Sequence, residues 1–258
     1  MASEQREQPE QIEPAGQPDQ AEPKLGIVEY MTLMQEYRLA VTEARAKFER
    51  LDKEAGQRLR HNPIHGITSR IKSPTSIIEK LRRRGYAVTV DNIRAQITDV
   101  AGVRVVCNYL NDVDVIADAL LGQDDVRLIA RKDYVASPKE SGYRSLHLVV
   151  AIPVCLNGSD QSREVPVEVQ IRTIAMDFWA TLEHRLRYKN RSVLEANGPK
   201  VDDIRQRLIA CADQIASIDQ AMQQIQLDID ELRAEQAEAL LNGDALGEDA
   251  DPTREPWG

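Results

Sequence analysis

Two segments of the chain show the apolar spacing of long helices. From residue 25 to about residue 60, apolar side chains return every three or four positions, which predicts an amphipathic helix. Residues 199–241 alternate steps of three and four, the pattern of a coiled-coil seam. That seam comprises Val201, Ile204, Leu208, Cys211, Ile215, Ile218, Met222, Ile225, Ile229 and Leu232. It needs a partner, which is either the helix at 25–60 of the same chain or another subunit.

The central region alternates shorter elements. Ser73 followed by Pro74 is typical of a helix start, and Gly85 marks the end of that helix. Further helices are predicted at 91–98, 112–121 and 173–190, and strands at 101–107, 126–132, 145–153 and 165–171. The last two strands read as a hairpin. This mixture predicts an α+β fold, a mixed sheet packed by helices.

The chain therefore divides into five segments. We expect an acidic tail at 1–24, an N-terminal helix at 25–62, a central domain at 63–198, the heptad-patterned helix at 199–241 and a second acidic tail at 242–258. Both tails lack large apolar residues and are expected to be disordered. No apolar run approaches the roughly 20 residues of a membrane span, and the N-terminus has no signal-peptide centre. A cytoplasmic protein without membrane contact is expected.

Charge and cysteine placement narrow the function classes. The net charge is −9, but residues 1–24, 199–241 and 242–258 contribute −4, −5 and −4, which leaves +4 for residues 25–198. A basic centre between acidic flanks suits a small polyanion better than DNA. Cys107, Cys155 and Cys211 are scattered. They are expected to be buried thiols rather than disulfide or zinc ligands.

No glycine-rich phosphate loop of the GxxxxGK[ST] type occurs, so a nucleotide would have to be held by side-chain cations. Arg70 and Lys72 precede a helix N-terminus, where backbone N–H groups also favour phosphate. A solvated basic face is the alternative for such residues. The available cations are Arg70, Lys72, Lys80, Arg104, Arg131, Lys132 and Lys139.

Two carboxylates, Asp99 and Glu168, lie at the margins of apolar strands. Two acids brought together can share a hard cation such as Mg²⁺. Asp99 could instead cap a turn, and Glu168 could belong to a solvent-exposed strand face. That face is polar throughout, because Val167, Val169 and Ile171 alternate with Glu168, Gln170 and Arg172.

Tyr143 lies in a Ser-Gly-Tyr turn between Lys139 and Arg144. An aromatic ring among cations can stack on a purine while the cations contact its phosphates. A buried tyrosine with a satisfied hydroxyl is the alternative. His147 by itself is more often structural.

Three segments carry a resemblance to a known family. ITDVAGVRVV at 97–106, SPKESGYRSLH at 137–147 and EVQIRTIAMDFWATLEHRLRYK at 168–189 closely resemble the synthetase domain of RelA/SpoT-type alarmone synthetases. The resemblance covers roughly residues 60–190, and the short chain is similar to the small, single-domain branch.

The resemblance implies a nucleotidyltransferase-like synthetase domain that moves the β,γ-pyrophosphate of ATP to the 3′-hydroxyl of GDP or GTP. The products would be AMP and ppGpp or pppGpp. It implies Mg²⁺ held by Asp99 and Glu168, with Glu168 also acting as the base. Homotetramers formed through terminal helices are typical of this branch. The implied ATP-binding residues are Arg70, Lys72, Lys80, Arg104, Arg131 and Lys132, and the implied GDP/GTP-binding residues are Lys139, Tyr143 (stacked on guanine), His147, Gln170 and Asp177.

Other readings stay open at this point. No His-Asp dipeptide of the hydrolase type occurs, so we expect a synthetase without hydrolase activity. One alternative is a different nucleotidyltransferase, which would release pyrophosphate rather than AMP. Another is a catalytically silent guanine-nucleotide or RNA-binding regulator, which would have no evident need for Asp99 and Glu168.

Overall fold

A computed structural model describes residues 26–59, 61–156, 162–190 and 198–241. Both predicted acidic tails, at 1–24 and 242–258, lie outside the described residues. In chain order the elements are α1 (Ile27–Leu59), β1 (Ile64–Ile71), α2 (Pro74–Arg83), α3 (Val90–Gln96), β2 (Ala101–Cys107), α4 (Leu110–Leu121), β3 (Arg127–Asp133), β4 (Leu146–Cys155), β5 (Ser162–Thr173), α5 (Ile174–Lys189) and α6 (Pro199–Leu241).

The strands form one five-stranded sheet in the order β1-β2-β5-β4-β3. β2 and β5 run parallel at its centre, and every other neighbouring pair is antiparallel. The hairpin predicted from 145–153 and 165–171 is present as β4 and β5. The α+β fold with a mixed sheet is thereby confirmed.

The core lies between one face of the sheet and helices α1 and α4. Leu33, Tyr37 and Phe48 of α1 are almost fully buried against this face. The sheet contributes alternate residues such as Val105, Leu148 and Val169, as period-2 geometry requires. The intervening residues of the central strands point to the other face, which is therefore free to carry polar chemistry.

Among the elements of the described residues, only strand β1 was not predicted by the apolar spacing. It pairs with β2 alone, as an edge strand, and only Ile64 among its eight residues is buried. Its register shifts between Ile64 and Gly66. An irregular edge strand with one buried side chain has no apolar alternation to detect.

Helix α6 packs chiefly on α4 and α5 rather than on α1. Its buried residues include Ala212, Asp219 and Gln226. Ile215, which the pattern places in the seam, packs against the buried Trp179 and Ala212 of its own chain. The rest of the seam's C-terminal half faces outward: Ile218, Met222, Ile225, Ile229 and Leu232 are all exposed. The alternative in which this seam packs on residues 25–60 of the same chain is not what the structure has.

The cysteine prediction is only partly right. All three thiols are free, but only Cys107 is buried, whereas Cys155 and Cys211 are exposed. Cys155 is the last residue of β4, and Cys211 lies on the outward side of α6. Within the described parts of the chain, no helix has the length and apolar content needed to cross a bilayer.

Two buried charges tie α1 to the rest of the molecule. Glu36 accepts a hydrogen bond from Arg94 of α3 at 2.8 Å and lies 3.5 Å from the guanidinium of Arg163 on β5. Lys47 donates to Asp125, in the loop after α4, at 2.6 Å. These contacts fix α1 over the sheet, because a buried charge is stable only with its partner.

We expect Glu36→Gln to lower the free energy of unfolding by about 1–3 kcal/mol, since two guanidinium groups lose the carboxylate that they share. Urea denaturation monitored by circular dichroism measures the change. Glu43→Gln, at an exposed position of the same helix, serves as the control and should change stability by less than about 0.5 kcal/mol. Equal effects of the two substitutions would contradict a clamping role for Glu36.

Candidate active site

A row of polar side chains crosses the face of the sheet opposite the core. Strand register aligns Thr68 with Arg104, Arg104 with Gln170, Gln170 with His147, and His147 with Lys132. All five strands therefore contribute one residue to the row. Side chains that are far apart in sequence meet because adjacent strands lie only about 4.8 Å apart.

The neighbouring row contains Arg70, Gly102 and Glu168. A Cβ atom on Gly102 would lie 3.5 Å from Cγ and 3.7 Å from Nε of Arg70. The missing side chain thus lets the arginine lie across the sheet toward Glu168. Between these rows is a cavity of about 230 Å³, lined among others by Thr68, Arg70, Arg104, Glu168 and Gln170.

Asp99 lies just before β2 and is held by two lysines. Lys72 and Lys80 each donate to one of its carboxylate oxygens, at 2.6 and 2.7 Å. Burial acts to raise the pKa of Asp99, but the two lysines outweigh it, and the pKa is lowered overall. Asp99 is therefore ionised at neutral pH, and both predicted phosphate ligands sit beside it.

The buried guanidinium of Arg172 organises the far end of the polar row. It donates to the Tyr143 hydroxyl at 2.8 Å, to Oε1 of Gln170 at 2.5 Å, and to Oδ1 of Asp177 at 3.2 Å. With its oxygen turned to Arg172, Gln170 directs its Nε2 group to Oε2 of Glu168 at 3.2 Å. Arg172 thereby sets the orientation of the amide beside the catalytic candidate.

His147 lies between the hydroxyl of Tyr143 and the carboxylate of Glu168. The Tyr143 hydroxyl accepts from Arg172, so its own proton is directed to Nε2 of His147, 2.8 Å away. Nδ1 then carries the ring proton and lies 3.8 Å from Oε1 of Glu168. Burial, together with the cations Arg172, Lys139 and Lys132, lowers the pKa of His147 to about 4. The imidazole is consequently neutral at pH 7.

Tyr143 is half-buried rather than fully displayed on its loop. The ammonium of Lys139 lies 4.8 Å from its ring centroid and 4.5 Å from that of Tyr134. Tyr134 and Tyr143 meet edge to face, with centroids 6.0 Å apart. The Tyr143 hydroxyl is hydrogen-bonded, as the alternative of a buried tyrosine requires. The residue nevertheless stays partly exposed, beside a cation.

Asp177, in the first turn of α5, lies between two arginines. Its Oδ1 lies 3.3 Å from Arg104 and 3.2 Å from Arg172. Nε of Arg104 is buried and has no hydrogen-bond partner among the described residues. The rest of the Arg104 side chain is partly exposed beside the cavity.

Arg131 is not brought to this site. It pairs in register with the buried Leu148, so it lies on the core-facing side of the edge strand β3. Its guanidinium approaches Asp114 of α4 and Asp133, both at 3.6 Å. The other predicted residues lie along the polar face or at its margin.

The pattern of residue types missed Arg172 and Tyr134 as parts of the site. Arg172 appeared only as the third residue of a polar strand face, yet just 4% of it is exposed. The only available signal was its alternation with Glu168 and Gln170. A larger groove of about 590 Å³ lies between α1 and α4, but none of the predicted site residues lines it.

Comparison with known proteins is consistent with this geometry. The family described as a region found in RelA/SpoT proteins matches residues 69–193. The GTP pyrophosphokinase YwaC of Bacillus subtilis is 42% identical over 59% of this chain and 72% of the relative. The GTP pyrophosphokinase YjbM of the same species is 35% identical over 77% of this chain and 89% of the relative. The crystal structure of small alarmone synthetase 1 from B. subtilis, bound to its product pppGpp, superposes with a TM-score of 0.67 and 33% identity, covering 78% of this chain and 98% of that one.

We expect the His147 ring signals to titrate near pH 4 in a proton NMR experiment. Arg172→Gln should move this pKa upward, because it removes one of the cations that lower it. A folded pKa of about 4, against an ordinary value of 6.5, contributes stability that is fully present above pH 6.5 and is lost as the pH falls toward 4. The full contribution is about 3 kcal/mol.

The protein has four histidines, and the ring signal that disappears in His147→Gln is the one that belongs to His147. Arg185→Gln, which removes an exposed charge of α5, should leave the titration unchanged. A His147 signal that titrates near its ordinary pH in the folded wild-type protein would contradict this account.

Proposed function

The chain belongs to the RelA/SpoT family as a GTP pyrophosphokinase that synthesises (p)ppGpp, and from this premise we propose how its residues divide the reaction. Pyrophosphate passes from ATP to the 3′-hydroxyl of GDP or GTP, and AMP leaves. The observation that carries the assignment is a hydrogen-bonded network of five side chains, Glu168, Gln170, Arg172, Tyr143 and His147. In this proposal the network holds the carboxylate of Glu168 between the ATP and the acceptor.

ATP is proposed to lie over β1 and β2. Arg70 and Arg104 border the cavity there, and the Arg104 side chain stays partly exposed. Lys72 and Lys80, which both pair with Asp99, are proposed to contact the phosphates beside it. Lys132, at the far end of the polar row, remains a proposed phosphate ligand. Arg131 is left out of the proposal, because its guanidinium lies near Asp114 on the other face.

Glu168 is proposed as the group that takes the hydrogen bond, and then the proton, of the attacking 3′-hydroxyl. It lies in the floor of the cavity, where Gln170 fixes one of its oxygens. The neutral His147 adds no positive charge that would compete with the substrate hydroxyl. A base held in one orientation within reach of the hydroxyl is the arrangement that general-base catalysis requires.

The nucleotide chemistry of these synthetases indicates a divalent-metal-dependent reaction, and we propose Mg²⁺ as the ion. Its protein ligands would be Asp99 and Glu168, both hard oxygen donors. The donor set fits: Mg²⁺ commonly takes one or two carboxylates and completes its shell with phosphate oxygens and water. The described residues contain no group of three or more metal-binding side chains, so the substrate has to supply the remainder. The bound ion would neutralise charge on the phosphates.

The acceptor is proposed to stack its guanine on the accessible part of Tyr143. Lys139 is placed to contact the phosphates, since its ammonium already lies beside the ring. Gln170, Asp177 and His147 complete the polar wall on this side. The arrangement distinguishes a base with a broad aromatic surface from a simple polyphosphate.

We further propose that the protein acts in the cytoplasm as a homotetramer. The exposed stripe of Ile218, Met222, Ile225, Ile229 and Leu232 supports self-association, because such a contiguous apolar surface is unusual on a monomer. Its step of three and four residues suits a second helix of the same kind.

We expect Glu168→Gln to bind both nucleotides nearly normally and to transfer pyrophosphate about 10²–10⁴-fold more slowly, the usual contribution of a general base. Nucleotide chromatography after incubation with ATP, Mg²⁺ and GDP or GTP measures turnover, and calorimetry measures binding.

Glu164→Gln is the matched control, since Glu164 is an exposed residue of the same strand that pairs with Arg127. The wild-type protein should yield equal amounts of AMP and a guanosine 3′-pyrophosphate. Release of pyrophosphate, as by another nucleotidyltransferase, or binding without turnover, as by a silent regulator, would overturn the proposal.

We expect Met222→Asp combined with Ile225→Asp to dissociate the assembly, because both side chains belong to the exposed stripe and buried unpaired charges cost several kcal/mol. Light scattering gives the mass of each species. Ser217→Asp combined with Gln220→Asp adds the same charge at exposed positions outside the stripe and should leave the mass unchanged. An unaltered mass in the first variant would place the subunit contact elsewhere.

A further inference from the structure

The inner side of α6 lies directly against the turn that carries Tyr143. Gly142 adopts a positive φ of 84°, and the turn is closed by hydrogen bonds from Gly142 N to Lys139 O at 2.8 Å and from Lys139 N to Tyr143 O at 3.1 Å. A Cβ atom on Gly142 would lie only 2.4 Å from Cβ of Ala212. The backbone of the turn therefore packs directly against α6 at this point, and neither Gly142 nor Ala212 has room for a larger side chain.

A small apolar cluster extends this contact to the tyrosine ring. Trp179 of α5 and Ala212 of α6 are buried together, and Tyr143 and Ile215 pack against them. The indole N–H of Trp179 donates to the backbone oxygen of Leu208 at 3.4 Å. Tyr143 is consequently packed against residues of two helices, α5 and α6.

A second anchor joins α6 to the end of β5. Asp219 is buried and accepts from the Thr173 hydroxyl at 2.6 Å. The same hydroxyl accepts from Met176 N at 3.1 Å, which makes Thr173 the N-cap of α5. Thr173 directly follows Arg172, so this contact fixes the strand end from which the guanidinium reaches Tyr143.

We infer that α6 is a positioning element for the guanine-nucleotide subsite, acting through Ala212 on the Gly142–Tyr143 turn and through Asp219 on Thr173. This inference rests on the proposed function, which assigns Tyr143 to the guanine. Neither Ala212 nor Asp219 touches substrate. The cavity assigned to ATP is lined by β1, β2 and β5, and neither Gly142 nor Ala212 borders it.

The experiment measures the KM for the acceptor and the KM for ATP separately. Ala212→Leu should raise the KM for GDP and GTP about tenfold, because overpacking displaces the turn, while the KM for ATP stays within about twofold. Ala210→Leu makes the same change two residues earlier on α6, at an exposed position, and should alter neither KM.

A second pair of variants tests the contact itself. Gly142→Ala should raise the acceptor KM, since its Cβ would clash with Ala212, and adding Ala212→Gly should restore part of the loss by vacating that space. The part that remains reflects the positive φ. Additive effects of the two substitutions would overturn the contact.

The outcomes also distinguish the inference from its premise. If the wild-type protein makes no AMP and no guanosine 3′-pyrophosphate, the proposed function is wrong. If it makes both but Ala212→Leu changes the KM values for ATP and acceptor equally, or changes neither, the positioning role of α6 is wrong. Binding of a non-hydrolysable ATP analogue by Ala212→Leu confirms that the comparison is made on folded protein.

Discussion

The burial of one guanidinium is the constraint on which the site depends. Arg172 has little contact with solvent, and an arginine cannot give up its charge to escape the cost of burial. Its donors must therefore find acceptors, and those acceptors are the hydroxyl of Tyr143, the amide of Gln170 and the carboxylate of Asp177. Folding the sheet and ordering the site are in this respect the same event. Glu168, the carboxylate proposed as the base, is held by Gln170, whose amide Arg172 in turn orients.

The sheet makes this arrangement possible by separating two tasks. One face packs against α1 and α4 with aliphatic residues, and the other presents a polar row to which all five strands contribute. Gly102 sits between Arg70 and Glu168 and leaves the space that a larger residue would fill. The distribution of small and charged residues on one face thus matters as much as the apolar packing on the other.

Much of the fold follows from the sequence, and the exceptions have physical causes. Central strands and long helices have strong periodicity, so β2, the β4–β5 hairpin and both terminal helices could be predicted. Edge strands lack that signal: β1 was not detected, and the polar β3 gave no indication of the face to which Arg131 belongs. The heptad pattern of α6 merged two stripes about 100° apart, one that packs on the chain and includes Ile215, and one that faces outward. Residue types on β5 predicted a polar face but could not reveal that Arg172 would be buried beside Asp177 of α5.

Helix α1 has a consequence for the order in which the protein can fold during synthesis. Its 33 residues span about 50 Å and emerge first, yet their partners include β4 and β5, which are made late in the chain. Until then the apolar stripe from Leu33 to Leu51 has no sheet to cover, and Glu36 lacks Arg163. Contacts of such long sequence separation slow folding and leave apolar surface open to association. The nascent chain is thus most vulnerable before β5 emerges, and a truncation that removes β5 should leave α1 as an aggregation-prone segment rather than a folded fragment.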